Sequence, residues 1–302
     1  MKVPENLRWI AERSGPDIKA FVDSLPRRIA ELEDLWEIKV GEPYDPGGFS
    51  SFTARATRAD GEPCVLKLAY EWEPTRCEYD ALRAWDREGA VRLLEGEPFT
   101  MLLERCEPGV PIWSAADFDT ADAELLPILK RLWKPAPAGP PWLKLRDLAG
   151  LMAERIATHY ELSDKPFDVA HVRFAQRFAH DASEFTGAEF LLHGDFHQEN
   201  VLSATREPWL VIDPSPIVGD PAYDAAFLAT DRAHEMTNAV AASRVAARLD
   251  RYAAELELDR GHLAAWALTR SVSISINPVF VNADWMQHRR DLVPILGALI
   301  GY

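Results

Sequence analysis

Strand-forming and helix-forming segments are segregated along this chain of 302 residues, and that segregation limits its fold more than any other feature. In the first third the apolar runs are short and rich in β-formers: "LWEIKV" from 35, "SFTARAT" from 51, "PCVLKLAY" from 63, "AVRLLE" from 90 and "FTMLLER" from 99. "YDPGGFSS", "ADGEP" and "GEP" supply turns at three of the joints, so these runs predict a small antiparallel sheet. The remaining joint, "EPTRCEYDALRAWDRE", opens with Pro74 near a helix start and continues with helix formers. From residue 118 the spacing turns helical, at roughly 120 to 133, 142 to 160, 168 to 185, 221 to 230, 235 to 256 and 260 to 276. Strands first and helices afterwards predict an α+β chain. Its length suits two packed units, divided here into 1–105 and 106–302. Ahead of the strands, Ile18, Phe21, Val22, Leu25, Ile29 and Leu32 mark an amphipathic helix over 16 to 34, with Ser14 as cap and Pro26 expected to kink or divide it. "KPAPAGPP" at 134 to 141 reads as a join between two helices of the second part.

Two charged residues in the first part need each other. Lys67 sits inside the apolar strand "VLKLA", and a lysine is seldom buried without a partner. Glu78 shares a helix face with Leu82 and Trp85, at i, i+4 and i+7, which turns its carboxylate inward. An ordinary surface ion pair is the plainer alternative, and the apolar residues on both sides of Lys67 argue against it.

"LLHGDFHQENVL", at 191 to 202, and "WLVIDP", ending near 214, hold the rest of the chemistry. Asn200 follows Asp195 by five positions, and Asp213 comes thirteen later, at the end of an apolar strand. A hairpin between the two apolar runs would bring the three side chains to one edge. There a carboxylate could orient a hydroxyl, while an amide and a second carboxylate hold magnesium, which prefers oxygen ligands. His193, Asp195 and His197, with Asp213 as a fourth ligand, also suit a zinc hydrolase, provided the stretch is extended.

Acids outnumber bases 48 to 33, a formal charge of −15 that opposes nucleic-acid binding and favours a cationic small molecule, although solubility alone would also explain it. No signal-peptide core and no apolar run of about 18 residues is present, so neither a membrane nor a compartment other than the cytoplasm is expected. Cys64, Cys77 and Cys106 match neither a disulfide framework nor a zinc ribbon.

"HGDFHQENVL", "VIDPSPIVGDPAYDAAFL" and "ALRAWDREGAVRLLE" with "LLERCEPG" together resemble the aminoglycoside phosphotransferase family, in the branch of streptomycin 6-phosphotransferases and hydroxyurea phosphotransferases. The likeness runs from about residue 40 to 230. It implies a two-lobed protein-kinase-like fold, an N-terminal antiparallel sheet lobe with one key helix, and a mainly helical C-terminal lobe. It also implies ATP and Mg2+ as cofactors, with Asp195 as catalytic residue and Asn200 and Asp213 as metal ligands. Lys67 would contact the nucleotide phosphates and Glu78 would fix it. Gly47, Gly48, Phe49, Ser50 and Ser51 would cover the phosphates, and the backbone of Glu104, Arg105 and Cys106 would meet the adenine edge.

The implied acceptor is a cationic aminoglycoside such as streptomycin, bound by a monomer or weak dimer. Hydroxyurea, another hydroxylated metabolite, or a nucleotide-binding pseudokinase are the alternatives. Asp224, Asp231, Glu235 and Asp284 are candidate grips for a polycation, and Trp113, Trp142, Trp266 and Trp285 candidate platforms, against the plainer reading of solvated faces and core. Asp220 is expected to cap a helix with Pro221 at its first position. Many members of the branch carry lysine where Ser215 stands in "IDPSP", a departure that weakens any transfer of substrate identity.

Overall fold

In the computed structural model, which describes residues 2–71, 76–139, 142–232, 238–278 and 286–301, period-two burial in the early strands decides which way the first sheet faces. Helices α1 (Glu5–Ala11) and α2 (Pro16–Trp36) precede β1 (Ile38–Pro43), β2 (Ser51–Arg58) and β3 (Pro63–Ala69). α3 (Glu78–Trp85), β4 (Leu93–Glu97) and β5 (Thr100–Glu104) follow, and the five strands pair antiparallel in the order β1-β2-β3-β5-β4. Phe52, Ala54, Ala56, Cys64, Leu66, Leu68 and Leu102 lie on one face and pack with the buried stripe of α1 and α2: Leu7, Ile10, Ile18, Phe21, Leu25, Ile29 and Leu32. The alternate residues Thr53, Arg55, Val65, Lys67 and Leu103 line a cavity on the opposite face.

Local details depart from expectation. α2 is capped at Gly15 rather than Ser14 and continues through Pro26, because the apolar stripe on both sides of the proline docks on the same sheet face. It runs on to Trp36 and stops at Glu37 (φ 49°), so the first strand starts at Ile38. Pro74 lies outside the described residues.

A short helix α4 (Ile112–Ala115) leads to α5 (Phe118–Leu132), β6 (Lys134–Pro135), α6 (Leu145–Leu162), α7 (Val169–Ser183) and β7 (Phe190–Leu192). Then come β8 (Val201–Ser203), β9 (Trp209–Val211), β10 (Ile217–Gly219), α8 (Ala222–Thr230), α9 (Asn238–Leu256), α10 (Arg260–Ser275) and α11 (Met286–Leu299). β10, β7 and β6 form a small antiparallel sheet in that order, while β8 and β9 pair as the expected hairpin, with Val201 opposite Val211. Pro140 and Pro141 of the expected join are outside the described residues.

Packing divides the chain into Met1–Ile112 with Val201–Pro216, and Trp113–Asn200 with Ile217–Tyr302. The sequence-based boundary at 105/106 differs from this because the β8–β9 hairpin returns to the first unit. There Val91 N–H donates to Val211 O (3.0 Å), Val211 N–H to Gly89 O (2.8 Å) and Val110 N–H to Ser203 Oγ (2.9 Å).

In the second unit a buried ion pair joins α5 to α9. Arg248 donates to both carboxylate oxygens of Asp122 (2.9 and 2.8 Å), and the Tyr252 hydroxyl donates to the same carboxylate (2.6 Å). Arg248 also donates to the carbonyls of Ala229 and Asp231, closing the end of α8. Among the described residues no helix is long and apolar enough to cross a membrane.

Candidate functional site

The first unit builds its part of the site around Lys67. β2 and β5 flank β3 on both sides and leave this side chain on the face away from the α1–α2 core, where only 6% of it is exposed. Its Nζ donates to both oxygens of Glu78 (2.5 and 2.7 Å) and to Asp213 Oδ1 (2.5 Å). α3 delivers Glu78, which is itself 1% exposed, because Leu82 and Trp85 on the same face are buried with it. Burial would pull the ammonium down, but the charges of Asp213 and Glu78 outweigh it and hold Lys67 above its ordinary range. Asp213 takes a left-handed conformation (φ 56°), which aspartate tolerates better than most residues, and its side chain is half exposed. Among the described residues no donor reaches its Oδ2.

A cavity of about 510 Å³ opens beside this triad, lined by Lys67 and Asp213, the sheet residues Thr53, Arg55, Val65 and Leu103, the turn Gly47 and Gly48, and the segment Glu104 to Gly109. Gly47 (φ 70°) is required there, since a Cβ would come within 2.8 Å of Pro4 Cβ and 3.0 Å of Tyr44 O. Phe49, Ser50 and Ser51 are not among the lining residues: the Phe49 ring packs edge-on to Trp9 (5.9 Å) and Ser51 is buried at the start of β2. The connector after β5 is held by side chains. Arg206 donates to both oxygens of Glu104 (2.9 to 3.2 Å), and Arg105 pairs with Glu107. Glu104 N–H is used by Arg92 O (2.9 Å), whereas Cys106 N–H has no acceptor among the described residues. Burial pushes the Cys106 thiol up to about 12, so it stays protonated.

Asp195 and Asn200 belong to the second unit, on the loop after β7. Gly194 (φ 80°) makes the turn between His193 and Asp195. The first two residues of that turn are gripped from α8: the fully buried Asp224 accepts from His193 N–H and Gly194 N–H (2.8 Å each). Burial pushes the Asp224 carboxyl up to about 6. Arg270 of α10 sets its guanidinium carbon over the rings of Tyr223 and Phe227 (3.9 and 4.1 Å) and donates to Gly194 O (3.3 Å). Further along, Gln198 N–H donates to Asp231 Oδ2 (2.9 Å) and Asn200 Nδ2 to Asp195 O (3.1 Å). That last bond fixes the Asn200 amide, whose oxygen meets no donor among the described residues.

Asp224 and Asp231 are therefore occupied in holding the loop and are not free to grip a substrate. Glu235, Asp284 and Trp285 lie outside the described residues. Trp266 is core and donates to Asp220 Oδ2 (2.9 Å), Trp142 donates to Pro137 O (3.0 Å), and Trp113 is exposed. α8 begins at Ala222 with Pro221 at the cap position, one residue later than expected, and Asp220 Oδ1 accepts from Ala222 N–H (2.9 Å). Replacing Asp224 with Ala strands two backbone donors and is expected to lower the unfolding free energy by roughly 2–5 kcal/mol in urea titrations. Asp224→Asn keeps one accepting oxygen and should lose less.

The two histidines of the loop do different work. His193, fully buried, accepts from Asp195 N–H on Nδ1 (3.3 Å) and so serves the loop's own backbone. Among the described residues no three His, Cys, Asp or Glu side chains gather as a metal site, and the loop is turned rather than extended, against the zinc arrangement. His197 Nε2 stands 3.6 Å from Asp195 Oδ2, with its ring edge-on to Phe227 (5.9 Å). Burial would lower its imidazole, yet Asp195, and then Asp231 and Glu199, raise it to about 9. In turn His197 outweighs burial at Asp195 and holds that carboxyl down to about 2, so Asp195 is ionised across the neutral range.

A histidine with a raised folded-state value stabilises most below its ordinary value of 6.5 and loses that contribution as pH climbs through about 9. Wild-type stability in urea should therefore fall across this window, and His197→Gln should flatten the fall. Equal slopes in the two proteins would show that the imidazole carries no charge there.

So Lys67, Glu78 and Asp213 are in contact in the first unit, with Gly47, Gly48, Glu104, Arg105 and Cys106 around one cavity, and Asp195 and Asn200 share one loop in the second. Residues 38–277 match the family model described as aminoglycoside/hydroxyurea antibiotic resistance kinase. A streptomycin 6-kinase of Streptomyces griseus is 38% identical over 278 residues, 89% of this chain and 88% of that protein. A hydroxyurea phosphotransferase of Kitasatospora aureofaciens is 34% identical over 280 residues, 90% of this chain and 78% of that one. The crystal structure of LicA in complex with AMP superposes with a TM-score of 0.58 at 14% identity, covering 90% of this chain and 97% of LicA. That likeness establishes the kinase-like fold, and the sequence matches establish more: this chain is a phosphotransferase belonging to the aminoglycoside/hydroxyurea antibiotic resistance kinase family.

Proposed function

We propose that this chain transfers the γ-phosphoryl group of ATP to a hydroxyl of an aminoglycoside-type antibiotic, streptomycin foremost, and so confers resistance in the cytoplasm. The observation that carries this reading is the buried Lys67 ammonium, gripped by Glu78 and Asp213 in the wall of a cavity large enough for a nucleotide. Lys67 would neutralise phosphate oxygens, and Glu78 would keep it from collapsing onto Asp213 alone. Gly47 and Gly48 would approach the phosphates with backbone amides, and the free Cys106 N–H would meet the base edge. AMP bound to the similarly folded LicA, and the streptomycin kinase at 38% identity, support the nucleotide and the acceptor respectively.

Asp195 would accept a hydrogen bond from the acceptor hydroxyl and aim its oxygen at the γ-phosphorus. The new P–O bond forms as the β–γ bridge breaks, ADP leaves, and the hydroxyl proton passes to Asp195 and then to water. A carboxyl held near 2 is a weak base, so orientation is its larger contribution and the proton moves late. Asn200 in the second unit and Asp213 in the first each carry an oxygen that meets no donor among the described residues, and both are hard ligands suited to Mg2+, an ion that when bound would offset charge on the phosphoryl oxygens.

The test is nucleotide consumption with and without Mg2+ against streptomycin, other aminoglycosides, hydroxyurea and plain hydroxylated metabolites. Streptomycin-stimulated ADP release that stops on chelation supports the reading. Stimulation by hydroxyurea alone moves the acceptor to that molecule, and no stimulation by any acceptor defeats the proposal.

A further inference from the structure

The cavity lining holds a cation, Arg55, that the proposed chemistry does not use. Arg55 lies on β2, exposed, with its guanidinium carbon over the Tyr44 ring, 4.5 Å from the ring centroid. Lys67 and Arg105, also in the lining, are paired with carboxylates, whereas Arg55 has no carboxylate partner among the described residues. Tyr44 is tied to the same strand, since its N–H donates to Thr53 O (2.9 Å).

Register places Arg55 with respect to everything else in this cavity. Arg55 pairs with Val65 and Val65 with Leu103, so these three side chains form one row across β2, β3 and β5 on the cavity face. Thr53 pairs with Lys67 in the next row, two residues along each strand, or about 7 Å. The chain leaves the first row directly into Glu104 to Cys106, where the free N–H lies. A nucleotide with its phosphates at Lys67 and its base edge at Cys106 N–H therefore lays its base across the Arg55 row. Val65 and Leu103 offer that base an apolar surface. At the end of the row stands a planar cation, seated over an aromatic ring and without a carboxylate partner among the described residues.

We propose that Arg55, backed by Tyr44, is a nucleotide-binding residue whose guanidinium stacks on the purine, an inference that rests on reading this cavity as the nucleotide site. Guanidinium and tyrosine planes layer well with a purine, and stacking is insensitive to the number of phosphates attached. A phosphate contact would instead grow with that number.

Calorimetric titration of the full chain with adenosine, AMP and ATP separates the cases. Arg55→Ala is expected to weaken all three by a similar factor of about ten. Arg55→Lys keeps the charge but loses the plane and should weaken binding nearly as much; Tyr44→Ala should follow it and Tyr44→Phe should bind like wild type. An exposed strand position should tolerate the change, and an unaltered melting temperature would verify it. Wild-type affinity for adenosine in Arg55→Ala overturns the proposal, as does a loss confined to ATP, which would assign Arg55 to the phosphates. Should the wild-type chain bind neither adenosine nor ATP, the nucleotide reading of the cavity falls and this proposal with it. Wild-type binding left unchanged by Arg55→Ala removes this proposal alone.

Discussion

Asp195→Asn is expected to lower kcat by about 100- to 10,000-fold while leaving the affinity for ATP nearly unchanged. Asparagine is close to isosteric, so Gly194, Asp224 and Asn200 keep their backbone bonds to the loop and its path is retained. What disappears is charge. The amide neither takes up the acceptor's proton nor presents two equivalent oxygens to its hydroxyl, and His197 loses the partner that keeps it protonated. Asp195 lies in the unit that does not line the cavity, so nucleotide titrations should barely register the change. Steady-state kinetics together with a separate ATP titration decide the matter, and undiminished turnover would remove Asp195 from the reaction.

Lys67→Met should be the most damaging single change in the first unit, for two separable reasons. Glu78 is left buried without its counter-charge, a defect that costs roughly 3–5 kcal/mol of stability. The cavity also loses the cation proposed to meet the phosphates, so ATP affinity should drop with it. Acidity distinguishes the two effects. Burial already pushes the Glu78 carboxyl from 4.5 up to about 7 with Lys67 present, and removing the ammonium raises it further. A carboxyl with a raised folded-state value destabilises the fold as pH rises from its unfolded value through the folded one. Lys67→Met should therefore be nearly wild-type in stability in acid and much weaker at neutral pH and above. Adding Glu78→Gln removes that dependence and should restore stability without restoring ATP binding. Restored binding in the double variant would deny Lys67 its proposed role.

Much of this was legible in the sequence because the signals are local or charged. Lys67 between apolar neighbours, and Glu78 on the face of Leu82 and Trp85, demanded a partner that the pairing of β3 with α3 supplies. The hairpin of β8 and β9 followed from two apolar runs with a turn between them. Less legible were features made by contacts far apart in the chain. Asp224 looks like one more acid on a helix, and only the fold shows that it holds the backbone of His193 and Gly194. Arg206 reaches Glu104 across more than a hundred residues without a motif to announce it. β6, β7 and β10 span two or three residues each, too few for any alternation to be read. Phe49 carried no sign that its ring would join the α1–α2 core instead of the loop over the cavity. The charged pair fared better because burial leaves a lone ion no other solution.

Mass analysis of streptomycin after incubation with the chain, ATP and Mg2+ tests the central claim most directly. One added phosphoryl group on the antibiotic, formed by the wild-type chain and absent with Asp195→Asn, is the predicted result. Streptomycin of unchanged mass after ATP has been consumed in its presence would contradict the account.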